Sequence, residues 1–261
     1  MPGYLAEIFS SFQGEGFAVE GSCYGKRQSF IRFAGCNFAK DSNPCIWCDS
    51  PSAQALKIEN FKVKKTPGSA NFIKLPNPAD VELILNWIHE ISSPDMHSIS
   101  VTGGEPLYQI DFLYELAEKL SDFKLYLETN GSLPENAKRV VEFFDYCCCD
   151  IKDDTAIKSK DWKKIVDQEF QTIKYFVNAQ KMIFAKVVVT SSTKIENIQW
   201  YASRLSELNV PLAIQIVSSK KNKESIPNFQ HICKLTEAAA KYLSPDQIGI
   251  SVQTHKFLGY L

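Results

Sequence analysis

Two kinds of apolar run alternate from residue 79 onward, and nothing else in the chain constrains its fold as strongly. "ADVELILNWIHEIS" (79–92) has apolar residues at helical spacing after Pro78, and "SISVTGGEP" (98–106) follows as a short β-branched run closed by glycines. The same helical spacing returns in "IDFLYELAEKLSD" (110–122), "ENAKRVVEFF" (135–144), "IENIQWYASRLSEL" (195–208) and "NFQHICKLTEAAAKYL" (228–243). Between them, "KLYLETNGS" (124–132), "YCCCDIK" (146–152), "KMIFAKVVVTSS" (181–192), "PLAIQIVSS" (211–219) and "IGISVQTHK" (248–256) predict strands, "YCCCDIK" a buried one. Strands separated by helices of this length need crossover connections, which argues for βαβ units and a parallel sheet. About six such units can be counted, fewer than a closed eightfold barrel requires.

Polar groups gather where the strands end, in "TGGEP", "ETNG", "DIKDD", "QIVSS" and "QTHK". Those C-terminal ends are where barrels and open α/β sheets build their sites. Residues 51–78 carry four prolines and weak periodicity, and read as a surface excursion inside a single domain spanning 1–261. There is no internal repeat and no low-complexity segment. With 44% hydrophobic and 23% charged residues, the chain is neither disordered nor membrane-embedded by composition, and a net charge of −1 argues against a general nucleic-acid binder. No apolar run approaches the eighteen or so residues of a membrane span, and "MPGYLAEIFSSFQGEG" lacks the basic and apolar regions of a secretory signal, so a cytoplasmic chain is expected.

In a reducing compartment, clustered cysteines mean metal more often than disulfide. Of the eight cysteines, Cys36, Cys45 and Cys48 fall within "GCNFAKDSNPCIWCDS" (35–50), eight residues separating the first two and two the last pair. Three thiolates are one short of a closed tetrahedral zinc site, and the histidines supply no partner at finger-like spacing. His89 and His231 fall in predicted helices, His97 in a loop, and His255 near the end. The alternative is an iron–sulfur cluster with one iron left open for a small molecule. S-adenosylmethionine can chelate an open iron through its amino and carboxylate groups, and Trp47 offers a face for its adenine. Cys147 to Cys149 read as buried strand residues, and Cys23 and Cys233 as packing thiols.

The cysteines and the aromatic before the last of them resemble the radical S-adenosylmethionine superfamily, whose usual first gap is three residues. Thr102-Gly103-Gly104-Glu105-Pro106 is similar to the glycine-rich strand end that meets the methionyl amino group there. "EIFSSFQGEG" (7–16), "FIRFAGCN" (30–37) and "SVQTHKFLGYL" (251–261) extend the likeness to the 7-carboxy-7-deazaguanine synthase family over essentially the whole chain. The resemblance implies an incomplete (β/α)6-type barrel, usually a homodimer. It further implies action on 6-carboxy-5,6,7,8-tetrahydropterin with a 4Fe-4S cluster, S-adenosylmethionine, Mg²⁺, and an electron donor such as flavodoxin or ferredoxin.

Residue by residue, it implies cluster ligands at Cys36, Cys45 and Cys48, and S-adenosylmethionine contacts at Trp47, Cys48, Asp49, Gly104, Asp150, Lys152 and Gln215. The pterin contacts it implies are Phe12, Gln13, Gly14, Glu15, Arg32, Thr102, His255 and the carboxylate of Leu261. Ser50 stands where the family has a threonine whose hydroxyl ligates Mg²⁺; serine keeps the oxygen, so Mg²⁺ dependence is expected to survive. Physical sense supports part of this. Gln13, Glu15 and a glycine-rich backbone can match the donors and acceptors of a flat pterin edge, and Arg32 can pair its carboxylate in a bidentate way. Plainer readings stand beside it: Arg32 as a surface arginine on an edge strand, His255 as a structural histidine, Asp150 and Lys152 as a solvated ion pair. Two rivals for the whole chain remain, a glycyl-radical-enzyme activase and a non-catalytic zinc-binding domain.

Overall fold

The computed structural model describes residues 2–41, 43–218 and 225–259. Among them ten strands form one sheet: β1 Leu5–Phe12, β2 Arg27–Phe33, β3 Asn60–Val63, β4 Ile73–Pro76, β5 Ser98–Gly103, β6 Leu125–Thr129, β7 Tyr146–Ile151, β8 Met182–Val189, β9 Leu212–Ile216 and β10 Ile248–Ser251. Their spatial order is β10-β9-β8-β7-β6-β5-β2-β1-β3-β4. From β2 through β5 and on to β10 every neighbouring pair is parallel. β1 returns antiparallel beside β2 and carries the β3–β4 hairpin on its far side. The sheet stops at β10 and β4 without closing, which makes it the incomplete barrel that the unit count implied.

Helices α2 Val81–Ile91, α3 Ile110–Lys119, α4 Pro134–Val140, α5 Trp162–Asn178, α6 Ile195–Glu207 and α7 Phe229–Ala239 cover the outer face, while the short α1 Asn37–Lys40 and α8 Thr254–Leu258 lie on the interior side. Side-chain caps set two of their starts. Asp80 accepts from the Leu83 amide at 2.8 Å and Asn228 from the His231 amide at 2.8 Å. Period-two alternation sends Phe33, Val101, Leu127, Cys147, Cys149, Val187 and Ile214 into the core shared with these helices. The opposite set splits by height. Tyr126, Tyr146, Cys148, Phe184 and Ala213 make a second apolar cluster with Cys23, against which Phe17 and Val19 of the β1–β2 connection pack. That plug fills the lower half of the interior; the upper half is polar. All three cysteines of β7 are buried, as is Cys23, whereas Cys233 is half-buried.

The sequence reading departs from the fold in four places. It gave no helix over α5, although Val166, Phe170, Ile173 and Phe176 recur at helical spacing and are buried. It gave β1 no strand and put Arg32 of β2 on an edge strand only as a plainer alternative. The segment 51–78, expected as a surface excursion, instead supplies β3 and β4, with Phe61 and Val63 fully buried. The last strand ends at Ser251, three residues before α8, so His255 lies on a helical turn.

Candidate active site

Everything that bears chemistry converges on one cavity of about 200 Å³ above the apolar plug. Cys36 caps α1 directly after β2, and its amide reaches the Gln54 carbonyl at 3.1 Å. The adjacent Gly35 amide bonds the Ala53 carbonyl at 2.8 Å, and Ile46 is tied to the Ala156 carbonyl at 2.8 Å. The long gap between Cys36 and Cys45 has a local account. It accommodates α1, whose Phe38 is buried and anchors the insertion.

All three thiols are free, half-buried and line the cavity. Burial pushes Cys45 up to about 11 against the pull of Lys152, and burial likewise raises Cys36. Cations brought among such thiols would favour their thiolate forms. Three cavity-facing thiols fit a cluster that leaves one iron open. Among the described residues no three His, Cys, Asp or Glu side chains are grouped as a single metal ion requires.

Beside the cysteines, β5 ends in Gly103 and Gly104. Gly103 has φ +138°, in the region that favours glycine. A Cβ on Gly104 would lie 2.2 Å from the Gly35 carbonyl oxygen and 2.5 Å from that of Ala53. Glu105, the next residue, is fully buried; it accepts from the Leu107 amide at 3.0 Å, the Thr129 hydroxyl at 2.7 Å and the Asn130 amide at 2.7 Å. Burial raises its carboxyl to about 7 despite those bonds.

The two chain ends meet across the cavity. Thr254 donates its amide to the Gly14 carbonyl at 3.1 Å, and a Cβ on Gly14 would come within 2.5 Å of His255 Nδ1. Gln13 is buried, donating to Glu128 Oε1 at 2.7 Å and Gln28 Oε1 at 3.2 Å, while Thr102 donates to Glu128 Oε2 at 2.8 Å. Gln253 Nε2 bonds both Glu15 Oε1 at 2.5 Å and Asp49 Oδ2 at 2.8 Å. Desolvation opposes the charge on Asp49, but Lys186, Lys256 and Arg32 outweigh it and hold the carboxyl below its usual range. Burial lowers His255, with Glu15 acting in the opposite direction.

Arg32 lies on β2, between β1 and β5, so the edge-strand reading of it falls. Its Nη1 donates to Ser50 Oγ at 2.8 Å, its Nε is 3.4 Å from Glu7 Oε2, and its guanidinium lies 5.6 Å from the Phe9 ring centre. Ser50 in turn donates to Asp49 Oδ1 at 3.2 Å. Lys152 Nζ bonds Asp150 Oδ2 at 2.7 Å with both side chains largely covered, so this is no solvated pair. Burial opposes the Asp150 charge, yet Lys152 and Lys186 hold its carboxyl below the usual range. Gln215 is buried on β9, accepting from Ser251 at 3.2 Å, and the Trp47 indole N–H is buried without a hydrogen-bond partner among the described residues. Phe12 lines the cavity while half of it stays exposed. Leu261 lies outside the described residues.

Sequence reasoning left several polar cavity residues unassigned, Glu105, Glu128, Lys186 and Gln253 among them. Lys186 had a visible signal, a lone cation in the apolar strand "MIFAKVVV". Glu105 stood inside the quoted glycine motif. Glu128 and Gln253 only become meaningful once β6 and α8 are placed.

A radical SAM superfamily model matches residues 30–184. The chain is 40% identical to the 7-carboxy-7-deazaguanine synthase of Thermococcus kodakarensis over 98% of each sequence. Against the enzyme of the same name from Methanocaldococcus jannaschii it is 36% identical, covering 98% of this chain and 100% of that one. The crystal structure of QueE from Escherichia coli aligns with a TM-score of 0.56 at 19% identity, covering 97% of this chain and 94% of that one, a likeness of fold. With its three cavity-facing thiols, its glycine-rich β5 end and relatives of this closeness along its full length, the chain belongs to the 7-carboxy-7-deazaguanine synthase family of radical S-adenosylmethionine enzymes.

Proposed function

We propose that this protein converts 6-carboxy-5,6,7,8-tetrahydropterin to 7-carboxy-7-deazaguanine by ring contraction with loss of ammonia, within deazapurine biosynthesis of the queuosine type. One observation carries the reading. The cavity that receives Cys36, Cys45 and Cys48 is the same one that receives Gln13, Gly14, Glu15 and His255, which supports a radical source and a flat polar substrate sharing one space. The names and closeness of the full-length relatives support it.

The bound cluster and S-adenosylmethionine supply a 5′-deoxyadenosyl radical for hydrogen abstraction; the chain binds, orients and excludes water. Trp47, Gly104, Asp150, Lys152 and Gln215 hold S-adenosylmethionine, with Asp49 beside them. Gly104 lets the end of β5 pack against the Gly35 and Ala53 carbonyls of the cysteine loop, which sets its backbone at the cavity wall. Glu15 accepts at the pterin edge, Gln13 holds the Glu15 amide at 3.1 Å beneath it, and Thr102 and His255 complete the cradle. Arg32 takes the substrate carboxylate, leaving Ser50 when the ligand arrives. A bidentate guanidinium–carboxylate pair is stronger than the single bond to a hydroxyl that it replaces.

Mg²⁺ at Ser50 is the part that the residues fit least. Ser50 Oγ accepts from a guanidinium, so a cation already faces the oxygen, and no step here depends on the metal. A homodimer, a flavodoxin or ferredoxin donor and a cytoplasmic location belong to the same family reading; among the described residues no helix is long and apolar enough to cross a membrane.

The test is anaerobic incubation of fully clustered, reduced protein with the carboxylated tetrahydropterin and S-adenosylmethionine, followed by mass analysis. The expected product is 7-carboxy-7-deazaguanine with release of ammonia; its absence overturns the proposal. A colourless, zinc-loaded protein would favour the structural domain instead, and glycyl-radical formation on a partner chain without pterin turnover would favour the activase.

A further inference from the structure

Lys186 is 6% exposed on β8, in a strand whose other residues are apolar. Strand register sets it beside Asp150 of β7, whose Oδ1 lies 3.1 Å from its Nζ. On the other side its Nζ pairs with Glu15 Oε2. Asp150 keeps a second cation, Lys152 at 2.7 Å; Glu15 has Gln253 as its other partner, a neutral amide. One buried ammonium therefore spans the two halves of the cavity. Among the described residues it is also the cation paired directly with Glu15.

We infer that Lys186 is a positioning residue that keeps Glu15 ionised and aimed for the pterin ring N–H groups, and so ties pterin recognition to the S-adenosylmethionine side of the cavity. The inference rests on the pterin reading above. An unpaired carboxylate in so covered a place takes up a proton, and a protonated one no longer presents two acceptor oxygens. The electrostatic surroundings make the dependence specific. Facing Lys186 are Asp150 and Cys148 from β7, Glu128 from β6 and Glu15, with Lys152 the nearby cation. Asp49 feels its charge, and His255 and Lys256 of α8 approach from above. Without Lys186, Glu15 and Glu128 would repel each other across the Gln13 side chain, which donates to Glu128 at 2.7 Å.

The experiment compares wild-type, Lys186→Met, Lys186→Arg and Glu15→Gln holoenzymes. Each is measured for binding of S-adenosylmethionine alone and for kcat/KM toward the pterin from pH 6 to pH 9. In Lys186→Met, kcat/KM should fall by more than about tenfold at neutral pH. The loss should be larger at pH 6 than at pH 9, while wild type stays flat in that range. Binding of S-adenosylmethionine without pterin should stay within about twofold because Asp150 retains Lys152; that binding also reports the fold. Lys186→Arg, which keeps the charge, should lack the pH dependence. Glu15→Gln should lose pterin affinity with no pH dependence, and adding Lys186→Met to it should cost little more. If Lys186→Met folds poorly, the pH profile of Lys186→Arg and the Glu15→Gln comparison still decide. A pH-flat Lys186→Met at wild-type kcat/KM overturns the inference, as does a pH-independent loss shared by both Lys186 variants. Wild-type enzyme that makes no deazaguanine product at all overturns the underlying reading instead.

Discussion

Replacing Gly104 by alanine tests how tightly the glycine-rich end of β5 is fitted to the cysteine loop. The added methyl would sit 2.2 Å from the Gly35 carbonyl oxygen and 2.5 Å from the Ala53 carbonyl oxygen. Both oxygens are backbone and cannot swing away as a flexible side chain would. Relief requires a shift of roughly 1 Å, the kind of overpacking that typically costs about 1–3 kcal/mol. The shift stretches the Glu105–Gly35 and Gly35–Ala53 bonds, each 2.8 Å, and the Cys36–Gln54 bond at 3.1 Å. At about 1 kcal/mol for each of the three backbone bonds, the total reaches about 4–6 kcal/mol. A domain of ordinary stability survives that loss, but the displaced segment carries Cys36. Gly104→Ala should therefore lower Tm by roughly 8–24 °C, cut iron content after anaerobic reconstitution, and weaken S-adenosylmethionine binding by more than about tenfold. The assays are thermal unfolding of the apoprotein, iron and sulfide analysis, and equilibrium binding on reconstituted protein. A Tm within about 2 °C of wild type together with full iron content would refute the packing argument.

Alanine at Cys36, Cys45 or Cys48 should abolish reductive cleavage of S-adenosylmethionine, whereas alanine at Cys147, Cys148, Cys149 or Cys233 should leave iron per chain unchanged; iron lost from one of the latter would show the ligands to be misassigned. Arg32→Lys keeps charge but not the planar fork, so turnover of the carboxylated pterin should drop by about tenfold or more while uncoupled cleavage of S-adenosylmethionine continues. Wild-type turnover in that variant would remove Arg32 from substrate recognition. Glu105, with its carboxyl raised by burial to about 7, binds a proton in the folded apoprotein that the unfolded chain has released. Its contribution is complete below the ordinary glutamate range and disappears as pH rises through about 7, so apoprotein Tm should decline over that window and Glu105→Gln should flatten the decline; an unchanged slope in the variant would assign it to other groups.

The alternating strands and helices after residue 79 were legible because hydrophobic period and turn residues are local properties. The strands missed near the N-terminus were not. β1 and β2 take their place only by pairing with each other and with β5, and "RQSFIRF" has no flanking helix to announce it. β3 and β4 were hidden by the prolines around them; Phe61 is buried because β1 offers it a parallel edge, a fact of tertiary structure. Within the site, the cysteines and glycines showed because their chemistry requires particular residue types at particular spacings. Gln13 and Glu15 stood in a motif, but their partners Glu128 and Lys186 stood in ordinary strands. Glu128 reads as a polar residue at a strand end until the Thr102 and Gln13 bonds are known.

Register explains why one sheet can serve a radical cofactor and a polar substrate together. On the cavity side, Arg32 pairs with Thr102 across β2 and β5, Asp150 with Lys186 across β7 and β8, and Gln215 with Ser251 across β9 and β10. Their immediate strand neighbours Phe33, Gly103, Ile151 and Val187 belong to the opposite face, so a slip of one residue would drive the charges into the helix-facing core. The apolar plug sets the depth of the site. Phe184 lies two residues below Lys186 on the same face, and Cys148 two below Asp150, which puts this ion pair immediately above the plug. Charges placed lower would be unpaired in hydrocarbon; placed higher, they would be screened by water. At this one level lysines 152 and 186 can offset the carboxylates of Glu15 and Asp150 while the cavity above stays open to two ligands at once.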